Sequence, residues 1–153
     1  METLFLKDRE IRDIVDVADV IDAVEKAFVE KYLGRVQMPP KVYIYYDSIG
    51  DLRVMPCYLS HLKISSVKLV NVHPQNRKYG LPTVMAVIAL INPETGFPKA
   101  IMGGTWITAM RTCAAGAIAA KYLARSDSKI VAIIGAGIQG RTQVMGLSAV
   151  IPS

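Results

Sequence analysis

Residues 129–153 read KIVAIIGAGIQGRTQVMGLSAVIPS. An apolar, β-branched run at 130–134 leads into Gly135, Gly137 and Gly140, the GxGxxG spacing of a strand-to-helix turn. In a dinucleotide-binding turn each glycine has a physical task. The first allows the tight turn, the second lets backbone approach a pyrophosphate, and the third lets the new helix pack on the strand. The N–H groups that open the helix then face the phosphates. A glycine-rich turn without a ligand satisfies the same letters, but here an apolar run precedes it and a helix-compatible segment follows. The run itself reads as the first buried strand of a parallel sheet. The acid that would hold a ribose hydroxyl belongs about 20 residues further on, past residue 153, so the letters do not separate NAD from NADP.

The rest of the chain is that of an ordinary globular domain. Of its 153 residues, 52% are hydrophobic and 20% charged, enough apolar surface for a real core. The net charge of +5 is spread over single Lys and Arg residues with no basic run. That pattern excludes a nucleic-acid surface as the expected reading and favours small anions. Apolar stretches such as 84–91 fall short of the roughly 18 residues of a membrane span. METLFLKDRE carries charges where a secretory signal needs its apolar core, so a cytoplasmic protein is expected. Cys57 and Cys113 are far apart and lack a CxxC pattern, and His61 and His73 stand at no metal spacing. Two reduced thiols and no metal site are expected.

Organisation follows from pattern. TLFL is a short strand; Asp8 can cap a short helix and Asp16 a longer one carrying Val17, Val20, Ile21, Val24 and Phe28, ended by Gly34. Met38-Pro39-Pro40 forces an extended exit. KVYIYY and LRVMPCYL flank the turn DSIGD, ISSVKLVNV is a further strand, and TVMAVIALI and FPKAIM flank NPETG. The section from 41 to about 102 is therefore a mostly antiparallel sheet. A helix from about Thr105 to Leu123 is dense in Ala, Gly and Cys, so it is expected to lie tight against a neighbour.

Four cations interrupt apolar context. Lys68 shares a strand face with Ile64, Ser66, Val70 and Val72. A lysine among such neighbours loses hydration, which suits it to acid/base work. The competing reading is an edge-strand lysine that discourages aggregation. Lys41, Arg53 and Arg111 sit within or at the ends of apolar elements. They read either as surface cations or as a set that holds a carboxylate.

MPPK, GDLRVMP, VKLVN, GLPTVMAVIALINPETGFPKAIM, TAMRTCAAGAIAAKYLAR and VAIIGAGIQG, in this order, resemble the ornithine cyclodeaminase/mu-crystallin family, with the pattern most similar to archaeal-type alanine dehydrogenases. The resemblance implies an α/β protein. An α+β substrate-binding and dimerisation domain, residues 1–125, would precede the first β–α unit of a Rossmann domain, residues 126–153. It implies a homodimer acting on a small amino acid or imine with NAD or NADP, without nucleic-acid or membrane partners. It makes Lys68 the central catalytic group and gives Lys41 and Arg53 the substrate carboxylate. Thr83 and Arg111 would line the nicotinamide, Arg111 also touching substrate. Ile138 and Gln139 would join the three glycines at the cofactor. Family members are about twice as long, so the chain is expected to be the first half of an enzyme. A mu-crystallin-type small-molecule binder and an inactive remnant are the alternatives. With one parallel strand and one helix, Val131, Ile133 and Ile134 are expected to stay partly exposed.

Overall fold

The structure is a computed structural model and describes residues 2–151. In chain order it contains β1 (Leu4–Leu6), α1 (Asp8–Ile14), α2 (Val17–Tyr32), β2 (Val36–Gln37), β3 (Val42–Tyr46), β4 (Gly50–Leu59) and β5 (Ile64–Val72). A 3₁₀ turn (Asn76–Tyr79) is followed by β6 (Val84–Ile91), β7 (Pro98–Gly103), α3 (Thr105–Leu123) and α4 (Ile138–Ser148). The chain divides into two compact units, one made of 1–13 and 30–106, the other of 14–29 and 107–153.

The first unit is a seven-stranded mixed sheet in the order β1-β7-β6-β5-β4-β2, with β3 also pairing β4. All pairings are antiparallel except β1 with β7, which are parallel. Hairpins set most of the register: Asp47 supports the β3–β4 turn at φ 48°, and the β6–β7 connection closes with Asn92 N–H donating to the Phe97 carbonyl. β1 joins through no local turn. Its place is fixed where Asp8 Oδ1 accepts the Trp106 N–H at 2.8 Å, at the opening of α3. This corrects the expectation that Asp8 caps its own helix. That end is served instead by Glu10, whose carboxylate accepts the Lys7 N–H at 2.7 Å.

Helix α2 follows its sequence signals closely. Asp16 Oδ1 accepts the Ala18 N–H at 2.7 Å, an N-cap. At the other end Gly34 adopts φ 70°, Gly34 N–H donates to the Lys31 carbonyl and Arg35 N–H to the Glu30 carbonyl. Those two bonds form a Schellman ending, which a left-handed glycine permits.

In the second unit, α3 does lie tight against neighbours. Ala114 and Ala117 are fully buried and pack with Ile21 and Ile118, flanked by Val17, Val20, Val24 and Val150. On α4, Gly146 approaches so closely that a Cβ there would stand 3.0 Å from the Cys113 carbonyl oxygen. Gln143 Nε2 adds a bond to the Thr112 carbonyl at 3.1 Å. Among the described residues no helix is long and apolar enough to cross a membrane.

The stretch ahead of α4 departs from expectation. Residues 129–134 form no strand, and Ile130 is 92% exposed. Val131 and Ile134 are likewise exposed, and Ile133 remains so in part. The composition is that of a buried parallel strand, but among the described residues no parallel neighbour pairs with it. The segment therefore runs without a ladder.

Candidate active site

The strand pattern around MPPK opens a cavity in the first unit. On its outer side β4 pairs β3 through residues 50–54 and β2 through residues 58–59. Between these two pairings lie Pro56 on β4 and the unpaired segment Met38-Pro39-Pro40-Lys41. Prolines have no N–H to give a ladder, so the sheet edge parts here. The result is a cavity of about 360 Å³ lined by Met38, Pro39, Pro40, Lys41, Met55, Pro56, Cys57 and Lys68.

The register explains why both lysines reach it. Lys68 on β5 stands opposite Met55 on β4 and Ile88 on β6. It is therefore central in the sheet, which removes the edge-strand reading. Val42 stands opposite Val54, so the chain just before it brings Lys41 level with Met55. Strand side chains alternate faces, and Tyr43 shares a face with Arg53, Met55 and Lys68; Lys41, two residues before Tyr43, falls on that face too. Lys68 is half-buried and Lys41 exposed.

Arg53 lies on the same face, two residues along β4 from Met55, and is not part of the cavity wall. It is gripped by Asp51 through Nε–Oδ1 at 2.7 Å and Nη2–Oδ2 at 2.9 Å, and its guanidinium lies 5.4 Å from the Tyr43 ring centre. Hydrogen bonding to Arg53 holds the Asp51 carboxyl below its ordinary range, and the same bond raises the Arg53 pKa. A guanidinium has five N–H groups, so this fork orients Arg53 while Nη1 stays available for a second anion.

Thr83 precedes β6, half-buried, and its carbonyl accepts the His73 N–H at 2.8 Å, away from the Lys41–Lys68 cavity. In the second unit, Arg111 sits on an exposed face of α3, though partial loss of hydration moves its pKa down. Cys57, which the sequence marks only as a reduced thiol, forms part of the cavity wall. Burial pushes its thiol up, so it is neutral near pH 7. Period-two counting along β4 from Arg53 through Met55 reaches it directly. Met55 reads from sequence as an ordinary strand core residue, and Met38 only as part of the extended Pro-Pro exit.

The glycine turn of the second unit fits a dinucleotide on its own geometry. Gly135 takes φ 103°, in the region that favours glycine. A Cβ on Gly140 would collide with the Gly135 carbonyl oxygen, whereas the space over Gly137 is open. Gly137 caps α4 without any side-chain bond to the opening N–H groups, and Ile138 and Gln139, the first two residues of the helix, are exposed. The opening turn thus presents free donors and helix-dipole charge to an anion. Among the described residues no cluster of His, Cys, Asp or Glu could hold a metal ion.

The model of the ornithine cyclodeaminase/mu-crystallin family matches residues 1–152. The chain belongs to that family. It is 48% identical to an alanine dehydrogenase of Archaeoglobus fulgidus over 98% of its own length and 46% of the relative's. Its fold matches an archaeal alanine dehydrogenase dimer with bound NAD at a TM-score of 0.94 and 48% identity, covering 98% of this chain and 46% of that one. It also matches the Thermococcus litoralis Δ1-pyrroline-2-carboxylate reductase in complex with NADH and L-proline, at a TM-score of 0.94 and 45% identity. That match covers 97% of this chain and 46% of the other. The chain therefore spans about half the length of the relatives it matches.

Proposed function

We propose that this chain supplies the substrate-binding half of an NAD(P)-dependent oxidoreductase acting on a small amino acid or imine. The observation that carries this reading is the cavity where Lys41 and Lys68 meet on one face of the sheet. Lys41 is placed to hold the substrate carboxylate, with Arg53, oriented by Asp51, as a second cation along the same face. Fixing the carboxylate orients the α-carbon. Lys68 moves a proton at the α-nitrogen or at the carbinolamine oxygen. Arg111 stabilises charge between substrate and cofactor, and Thr83 contributes to the nicotinamide side. NAD or NADP is held at the pyrophosphate by Gly135, Gly137 and Gly140, with Ile138 and Gln139 beside it. When bound, the nicotinamide exchanges a hydride with the α-carbon. Residues 1–125 form the substrate and dimerisation domain in this reading, and 126–153 begin the nucleotide domain.

Steady-state assays of the full-length protein with alanine, ornithine and cyclic ketimines, each with NAD and NADP, test the proposal. Turnover is expected with at least one pair. Tight binding of a small ligand without turnover by any pair would favour the mu-crystallin-type binder, and neither binding nor turnover an inactive remnant.

The protein is also proposed to be a homodimer. The sheet face opposite Lys68 carries Phe5, Val42, Ile44, Leu69 and Val87, all exposed, a set of apolar side chains on one face of the kind that marks an interaction surface. The dimeric archaeal relative supports the same assembly. Light scattering coupled to gel filtration should give twice the chain mass at micromolar concentration; a monomer there would contradict it.

A further inference from the structure

A glycine inside a helix is destabilising, because ordering it takes the most backbone freedom of any residue and adds no side chain to pack. Gly116 nevertheless stands in the middle of α3. The space it leaves is filled from α4. A Cβ on Gly116 would collide with the side-chain amide of Gln143. From that seat Gln143 Nε2 donates to the Thr112 carbonyl at 3.1 Å. Thr112 and Gly116 are four residues apart, so they share one face of α3. A helix carbonyl keeps a second lone pair beside its own ladder bond, so the amide takes nothing from α3. Gly146, three residues further along α4, meets the same face at Cys113 and Ala117. That glycine contact sets how closely the helices approach, but it has no direction. The amide bond adds the direction, fixing the slide and rotation of α4 on α3.

Two parts of the proposed cofactor site depend on this seat. Arg111 immediately precedes Thr112 on α3, and Gly135, Gly137 and Gly140 belong to the turn that opens α4. Groups that orient a ligand work only from fixed positions, and small displacements lose much of their effect. We propose that Gln143 is a positioning residue for the dinucleotide. Seated over Gly116 and bonded to the Thr112 carbonyl, it sets the N–H groups at the start of α4 in place relative to Arg111. The inference rests on the proposed cofactor role of the glycine turn and of Arg111, and goes beyond it by assigning a residue that acts through the two helices.

The test titrates the full-length protein with NADH and with NADPH, followed by nicotinamide fluorescence. Gln143→Met keeps most of the side-chain bulk and removes the donor. Gly116→Ala introduces a better helix former and keeps Gln143, but closes its seat. Without the bond α4 is correctly seated for only part of the time, and the apparent Kd rises as that fraction falls. Each variant should raise Kd by about tenfold, the scale of one ordinary hydrogen bond. The double variant should raise it no further, because both changes remove the same bond. A Gln143 that only packs would lower the melting temperature of the variants and leave Kd at its parental value. That result would overturn the proposal, as would effects on Kd that multiply in the double variant. Binding of neither dinucleotide by the parental protein would instead remove the cofactor reading, and the inference with it.

Discussion

Replacing Lys68 with alanine in the full-length protein is expected to lower kcat of the proposed oxidoreduction by about 10²–10⁴-fold, the range for losing a general acid–base group. The substrate KM should move much less, because carboxylate capture is assigned to Lys41 and Arg53. Lys68 has the properties the step needs. It stands in a central strand, opposite Met55 and Ile88, and half-buried on the wall of a cavity that is apolar apart from Lys41. Lys68→Met keeps all but the terminal atom of the side chain and suits those neighbours, so it controls for folding and should be as slow as the alanine variant. Lys68→Arg should not rescue the rate, since a guanidinium does not give up its proton in a protein. Measured by nicotinamide absorbance, a Lys68→Ala enzyme with parental kcat would remove Lys68 from proton handling.

The second large effect concerns the cofactor. The 153-residue polypeptide by itself is expected to give no measurable heat on titration with NAD or NADP. The glycine turn offers open space at Gly137 and unbonded N–H groups at the start of α4. Phosphate contacts alone, however, leave the adenosine and nicotinamide without walls. The segment that should anchor the turn, residues 129–134, pairs with no strand, and Ile130 and Ile134 face solvent. Ordering it on binding costs about 1–2 kcal/mol per residue of backbone entropy, which a few exposed hydrogen bonds do not recover. Adding the rest of a Rossmann domain should restore binding. Micromolar affinity in the 153-residue polypeptide would contradict this account.

Elements set by local signals are the ones readable from the sequence. α3 and β5 occupy the residues that helix and strand periodicity assign to them, and Asp16 and Gly34 cap α2 as their chemistry demands. These are signals carried within one or two turns of chain. Asp8 was misread because its partner, the Trp106 N–H, lies 98 residues away. The parallel pairing of β1 with β7 was unreadable for the same reason, and β2 is too short to show a period. At 129–134 the composition encodes a strand whose neighbours the described residues do not include.

The two lysines of the cavity stand out in the sequence, and the rest of its wall does not. A lysine in VKLVN stands out against apolar neighbours, whereas Met55 and Cys57 look like any core residue until the register puts them beside it. Arg53 was readable as a cation in an apolar strand. That Asp51, two residues before it, takes two of its donor groups follows from strand parity, but the bidentate geometry had to be seen.

Binding of the substrate carboxylate in the Lys41–Lys68 cavity can be seen directly in a crystal structure of the full-length protein with reduced dinucleotide and pyrrole-2-carboxylate. The carboxylate is expected within hydrogen-bond distance of Lys41 Nζ, with the ring nitrogen facing Lys68 and the ring against Met55. Ligand density elsewhere, with this cavity empty at saturating concentration, would contradict it.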